Sequence, residues 1–221
     1  MLVSAVMDYV DFSRHVLADA LLGAGPDAPT LCDGWQTRHL AAHLVLRESS
    51  LSTLGVLIKP LAGWTERRIE ELASQAQTPE SYARLVERFV QGPRFSVLRS
   101  PSVGQAANLL EYFVHTEDVR RAVDRYDRFA PRNLSARYSL LLWEQLAKRA
   151  RMLFRKSPVG VILIRGTGQR TVAKKSPNSV AIKGSVGELV LFSHGRTDHA
   201  LVTFEGSDEA VQALLGSNLA I

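Results

Sequence analysis

Cysteine is almost absent from this chain of 221 residues: Cys32 is the single one, which excludes a disulfide within the chain. One lone thiol is typical of proteins from a reducing compartment, so we expect a cytoplasmic location. No apolar run approaches the roughly 18 residues that suggest a membrane span. The first residues also lack a basic segment ahead of their apolar stretch, so we expect neither membrane association nor a signal peptide.

The chain has only a small excess of positive over negative charge. There are 27 Lys and Arg residues against 22 Asp and Glu, and 46% of the residues are hydrophobic, which excludes extensive disorder. The net charge of +5 leaves nucleic acid or an anionic substrate open as a partner. The main basic stretch, from Arg120 to Arg137, belongs to no recognised nucleic-acid-binding fold. We interpret it as a solvated face with ion pairs to Glu117, Asp118 and Asp124, and expect no nucleic acid partner.

Periodic apolar residues predict helices over the first two-thirds of the chain. Gly23 and Gly25 should end the first helix, and Thr37 should begin the second. The pair Thr78-Pro79 has the cap and first-turn proline of a helix start. Asn133 is expected to open the last helix of this part.

The composition changes at Pro158 to short β-rich runs separated by turn residues. Strands are predicted over residues 159–165, 169–174, 179–183 and 200–205. A helix is expected after the capping-box spacing of Ser185 and Glu188, and another after Ser207 or Asp208. We therefore predict an α+β protein, with a helical bundle at residues 1–156 and a small α+β domain at residues 157–221.

One helix of the predicted bundle carries a polar stripe on an otherwise apolar segment. The residues of the stripe are spaced by three or four positions and so share one face of the helix: Asn108, Glu111, His115, Asp118 and Ala122. Glu111 and His115 lie four apart, which places their Cβ atoms about 5–6 Å from each other. Such a pair can bind one metal ion. Taken alone, it is also an ordinary intrahelical pair worth a few tenths of a kcal/mol.

His43 is the candidate for a third ligand, because it sits among apolar residues on the second helix. Two histidines and one carboxylate would leave positions open for water or substrate, as in catalytic zinc sites. Zinc is favoured, with nickel or iron as alternatives. His39 forms a second possible pair with His43, but its place in the first helical turn favours a solvated or supporting role. Cys32 is a candidate nucleophile or fourth ligand. The alternative is that it is only a small buried residue of the loop.

Three segments resemble one known family. The segments Leu31–Leu44 and Glu111–Ala122 are similar to the two metal-binding signatures of mycothiol-dependent maleylpyruvate isomerase-like proteins, which belong to the DinB-like superfamily. Gly184–Phe192, followed by Gly195-Arg196, is similar to the small C-terminal domain of that family. Together with Gly92-Pro93-Arg94 and Asn108, the pattern more closely resembles an actinobacterial branch described only as metal-binding.

The resemblance implies a DinB-like helical bundle followed by a small sterol-carrier-like α+β domain. It implies that His43, Glu111 and His115 bind a divalent metal, and that Arg196 is catalytic. His39 departs from the family, in which an acidic residue is common at that position. Asn108 and Asp118 would orient the ligands.

The function that follows is a metal- and mycothiol-dependent isomerase or S-transferase that acts on an electrophilic small molecule. The alternative is a non-catalytic metal-binding or structural protein of DinB-like fold. The metal would supply a reactive thiolate in the first case and join two helices in the second. We expect a monomer or a homodimer.

Overall fold

The computed structural model describes residues 2–48, 62–92, 105–122, 130–166 and 168–217. These residues form helices and one small sheet, so the predicted α+β class is confirmed. The chain divides into two compact units, residues 1–128 and residues 129–221. Across the described residues, no helix is both long and apolar enough to cross a membrane.

The first unit is helical, as predicted. Its helices are α1 (Leu2–Ala24), α2 (Thr37–Glu48), α3 (Ala62–Ser74), α4 (Pro79–Gln91) and α5 (Gln105–Arg120). Helix α1 packs mainly on α5 and α4, while α2 packs on α3 and α4. The sequence pattern extends the second helix to Leu51, ends the helix after Thr78 at Gly92-Pro93, and extends the following helix to about Asp124. Leu51, Pro93 and Asp124 lie outside the described residues.

Local sequence explains where two of these helices begin or end. Gly25 follows α1 with a φ of +81°, a conformation that glycine adopts without strain, and its N–H donates to the Leu21 carbonyl. Thr78 caps α4 through a reciprocal capping box with Ser81, and Pro79 occupies the first turn. Both predictions are confirmed.

A buried ion pair lies within the apolar core of the first unit. Arg14 on α1 donates through Nη1 to the two carboxylate oxygens of Glu48 on α2, at 2.6 and 2.7 Å. The same nitrogen donates to the Phe89 carbonyl at 2.9 Å, and the Tyr112 hydroxyl donates to Glu48. The Arg14 guanidinium also lies over the rings of Phe89 and Tyr112. The network therefore ties together helices α1, α2, α4 and α5.

The second unit contains α6 (Ala136–Leu153), the strands β1 (Gly160–Arg165), β2 (Arg170–Lys174), β3 (Ser179–Gly184) and β4 (Thr203–Glu205), and helices α7 (Val186–Ser193) and α8 (Asp208–Leu215). The sheet order is β2-β1-β3-β4, with β1 parallel to β3 and the outer pairs antiparallel. Helix α6 packs on β2 and α7. The sequence-based boundary at residue 157 leaves α6 with the bundle, whereas the compact unit that holds the sheet begins at Phe129.

Three details differ from the sequence expectations. Helix α6 begins after its cap Ser135, two residues beyond Asn133. Ser185 occupies the cap position of α7 without a side-chain cap bond, and Glu188 accepts a hydrogen bond from the Leu201 N–H at 2.7 Å. Arg121 is not solvated: it is 1% exposed and its Nε lies 2.7 Å from buried Glu117. Burial of this cation is tolerated because it is paired.

Candidate metal centre

Helices α2 and α5 bring the three predicted ligands together. Ligand atoms of His43, Glu111 and His115 all lie within 4.8 Å of one another. His115 Nε2 is 3.5 Å from Glu111 Oε1, and the two imidazole rings are 5.4 Å apart between centroids, at an angle of 73°. The helical spacing of Glu111 and His115 places both side chains on the side of α5 where His43 lies. Two nitrogens and one carboxylate oxygen are a donor set that suits zinc.

The orientation of His115 is fixed by Asp118. The His115 Nδ1 lies 2.8 Å from Asp118 Oδ2, and both side chains are buried. Because a carboxylate accepts, Nδ1 carries the donated proton, and Nε2 is the nitrogen that can bind a metal once its own proton is displaced. Buried Nε2 makes no hydrogen bond with any described residue. An unsatisfied buried nitrogen costs about 1–3 kcal/mol, which a metal ion at this position would offset.

Arg47 holds the other oxygen of Glu111. Its Nη2 is 3.4 Å from Glu111 Oε2, and its Nη1 donates to the side-chain oxygen of Asn108. Burial opposes ionisation of Glu111, but its close contact with His115 and the charge of Arg47 outweigh it and hold the pKa of Glu111 well below its usual range. Glu111 is therefore an anion at neutral pH, as a metal ligand must be.

The two histidines differ in protonation. Burial, reinforced by the nearby charge of His115, lowers the pKa of His43 to about 3, so its imidazole is neutral and free to bind a metal. Burial also disfavours the charged form of His115, but Asp118, Cys32 and Glu111 outweigh it and raise the pKa of His115 well above the usual value. A metal ion must therefore displace a proton from His115.

His39 takes no part in this cluster. Its Nδ1 accepts from the Gln36 N–H at 3.2 Å, and its Nε2 is 3.4 Å from Glu70 on α3. Together with Trp35 it lines a separate cavity of about 460 Å³. A solvated or supporting role for His39 stays a prediction.

Cys32 contacts the same carboxylate that holds His115. Its Sγ donates to Asp118 Oδ2 at 3.4 Å, and the thiol is half-buried. Cys32, His115 and Asp118 have ligand atoms within 4.8 Å of one another, and in the described part of the chain this is the one further group of possible metal ligands.

Arg196 follows helix α7 in the second unit. Its N–H donates to Leu191 and that of Gly195, which has a φ of +83°, to Phe192, so the two residues cap the end of α7. The Arg196 Nη1 donates to the His194 carbonyl at 2.6 Å. A catalytic role for its side chain stays a prediction.

Sequence reasoning assigned no role to two residues that contact the cluster. Arg47 binds Glu111. Its place near the cluster could have been inferred from the four-residue spacing that puts His39, His43 and Arg47 on one face of α2. The Trp35 ring lies 5.2 Å from the His43 ring between centroids. Nothing in the local pattern indicates the Trp35 contact, because Trp35 precedes the helix that carries His43 and does not share its periodicity.

Comparison with known proteins identifies the fold. No family model matches the sequence, and no curated protein matches it. Two solved structures do match: a mycothiol-dependent maleylpyruvate isomerase and a histidine-to-alanine mutant described under the same enzyme name. Each has a TM-score of 0.64 and 16% sequence identity, and the match covers 92% of this chain and 92% of the other. The resemblance seen in the sequence is thereby confirmed at the level of architecture: the chain has the α+β fold of the mycothiol-dependent maleylpyruvate isomerase structures.

Proposed function

We propose that His43, Glu111 and His115 bind one divalent metal ion, with zinc favoured and nickel or iron as alternatives. The observation that carries this proposal is the buried Nε2 of His115, which has no hydrogen bond and lies beside His43 and Glu111. A four-coordinate zinc ion held by three protein ligands keeps one position for an exogenous molecule. The site would therefore be catalytic in type. A cytoplasmic location and a monomeric or homodimeric state stay predictions.

We further propose that the exogenous molecule is a low-molecular-weight thiol, with mycothiol favoured, and that the chain is an isomerase or S-transferase for an electrophilic small molecule. The likeness in fold to mycothiol-dependent maleylpyruvate isomerase structures supports this choice. A bound divalent metal would lower the pKa of a coordinated thiol and so supply a thiolate at neutral pH.

The chain's own residues would prepare the site for that chemistry. Asp118 fixes the tautomer of His115, so that Nε2 faces the other ligands. Arg47 holds one oxygen of Glu111 and leaves the other directed at His115. Arg196 would bind a carboxylate of the electrophile or charge that develops on it, for which the planar guanidinium fork is suited.

The test is turnover by the zinc-loaded chain with mycothiol and maleylpyruvate. We expect loss of the substrate, followed by NMR, to require both metal and thiol. If the thiol concentration is unchanged at the end, the reaction is an isomerisation; if one thiol is consumed per turnover, it is an S-transfer. Metal binding without turnover of this or related electrophiles would favour the non-catalytic alternative. Absence of metal binding would contradict the proposal as a whole.

The role of Arg196 is tested by substitution. We expect Arg196→Ala to lower activity by about 100-fold, the usual loss when one preorganised charge-stabilising donor is removed. Arg196→Lys should recover little, because a point charge cannot replace a bidentate fork. Metal content should not change, since the metal ligands lie in the first unit.

The matched control is Arg170→Ala, which removes an exposed arginine from strand β2 of the same unit. Steady-state kinetics and thermal unfolding of the three variants separate the possibilities. If Arg196→Ala loses a little stability through its bond to His194 but keeps its activity, Arg196 serves only to cap α7.

The place of His39 outside the cluster gives a further prediction. We expect His39→Ala to bind zinc within about threefold of wild type, because its two nitrogens contact Gln36 and Glu70. Loss of one such hydrogen bond should cost about 0.5–1.5 kcal/mol of folding stability. Chelator competition measures the affinity. A loss as large as that of His43→Ala would mean that the ligand set includes the His39/His43 pair.

A further inference from the structure

One carboxylate oxygen is shared by a thiol and a candidate metal ligand. Asp118 Oδ2 accepts from Cys32 Sγ at 3.4 Å and lies 2.8 Å from His115 Nδ1. Asp118 is 0% exposed. Its orientation is therefore set by the protein groups around it, and it in turn sets the direction of the His115 ring.

The loop that carries Cys32 is held against helix α5 and within itself. The Leu31 N–H donates to the Asp118 carbonyl at 3.1 Å, so backbone and side chain of the loop both contact Asp118. Thr30 Oγ1 accepts from the Cys32 N–H at 3.2 Å and donates to the Trp35 carbonyl at 2.8 Å. Trp35 packs on His43. The loop thus contacts both histidines of the centre: His115 through Asp118 and the Cys32 thiol, and His43 through Trp35.

We propose that Cys32 is a positioning residue of the metal centre: its thiol donates to Asp118 and holds the carboxylate where it fixes His115 Nε2 toward the metal. This inference rests on the proposed metal site. The thiol would not itself bind the metal, because its hydrogen bond goes to Asp118, the carboxylate that already occupies Nδ1 of His115. Outer hydrogen-bond partners of this kind typically change metal affinity by about 10–100-fold.

The experiment is cobalt(II) binding by chelator competition, with cobalt as the spectroscopic probe. We expect Cys32→Ala to weaken binding about 10-fold, and Cys32→Ser, which keeps a donor, to stay within about threefold of wild type. Asp118→Ala should weaken binding by about 100-fold. The matched control is Ser13→Ala, which removes a buried donor to the Tyr9 carbonyl on α1 and should leave the affinity unchanged.

Two readouts separate positioning from a merely structural role. Since Cys32 acts mainly through Asp118, Cys32→Ala should weaken binding less in the Asp118→Ala background than it does in the wild type. Cobalt bound to wild type should show no thiolate-to-cobalt charge-transfer band, because the sulfur is not a ligand.

The outcomes are distinct. Unchanged affinity in Cys32→Ala, additive losses in the double variant, or a charge-transfer band would overturn the inference and leave the metal site standing. Failure of wild type and Ser13→Ala to bind cobalt would overturn the metal site and the inference together.

Discussion

Replacing Glu111, His43 or His115 by Ala should each abolish tight binding of zinc, from about one ion per chain in the wild type. Each substitution removes one of three donors whose atoms lie within 4.8 Å of one another. The loss should exceed the about 10–100-fold that an outer hydrogen-bond partner costs. Zinc content after gel filtration, together with chelator competition, measures the effect.

A matched control exists for the carboxylate. Glu87 is an exposed glutamate on α4 that contacts Gln91, so Glu87→Ala should keep its full zinc content. Glu111→Gln tests charge apart from shape, because the amide keeps an acceptor oxygen but not the anion. Full metal content in Glu111→Ala and His115→Ala would refute the site.

Glu48→Ala should destabilise the first unit by about 3–5 kcal/mol, the usual cost of leaving a buried charge without its partner. Arg14 is 4% exposed and loses two hydrogen bonds with this carboxylate, while its Nε already makes none with any described residue. The Tyr112 hydroxyl loses its acceptor as well. Urea denaturation measures the change in the free energy of unfolding.

The paired substitution sharpens this test. Arg14→Met combined with Glu48→Leu should be more stable than Glu48→Ala, because both charges are then replaced by apolar side chains of similar size. Glu87→Ala again serves as the exposed control, with an expected change below about 0.5 kcal/mol. A loss below about 1 kcal/mol in Glu48→Ala would show that the buried guanidinium does not depend on this carboxylate.

The parts of the site that sequence predicts are those set by helical spacing. Glu111 and His115 share a face because they lie four residues apart, and the polar stripe extends to Asn108 and Asp118 for the same reason. The strands near Gly160, Arg170 and Ser179 were likewise predicted from short β-rich runs between turn residues.

The parts that sequence does not predict depend on contacts between distant segments. Arg14 and Glu48 are 34 residues apart in the sequence, and Arg47 and Asn108 are 61 apart. No local sequence pattern therefore predicts either hydrogen-bonded pair. Burial of Arg121 depends in the same way on packing. Helix α6 has the same periodic apolar pattern as the helices of the first unit, and its packing on β2 and α7 is likewise not visible in the local sequence.

Anomalous diffraction from a zinc-loaded crystal tests the central claim most directly. Data collected on both sides of the zinc absorption edge identify the bound ion as zinc as well as locating it. We expect one peak about 2.0–2.2 Å from His115 Nε2, a nitrogen of His43 and an oxygen of Glu111. A peak bonded instead to Cys32 and Asp118, or no ordered zinc at either cluster, would contradict the account.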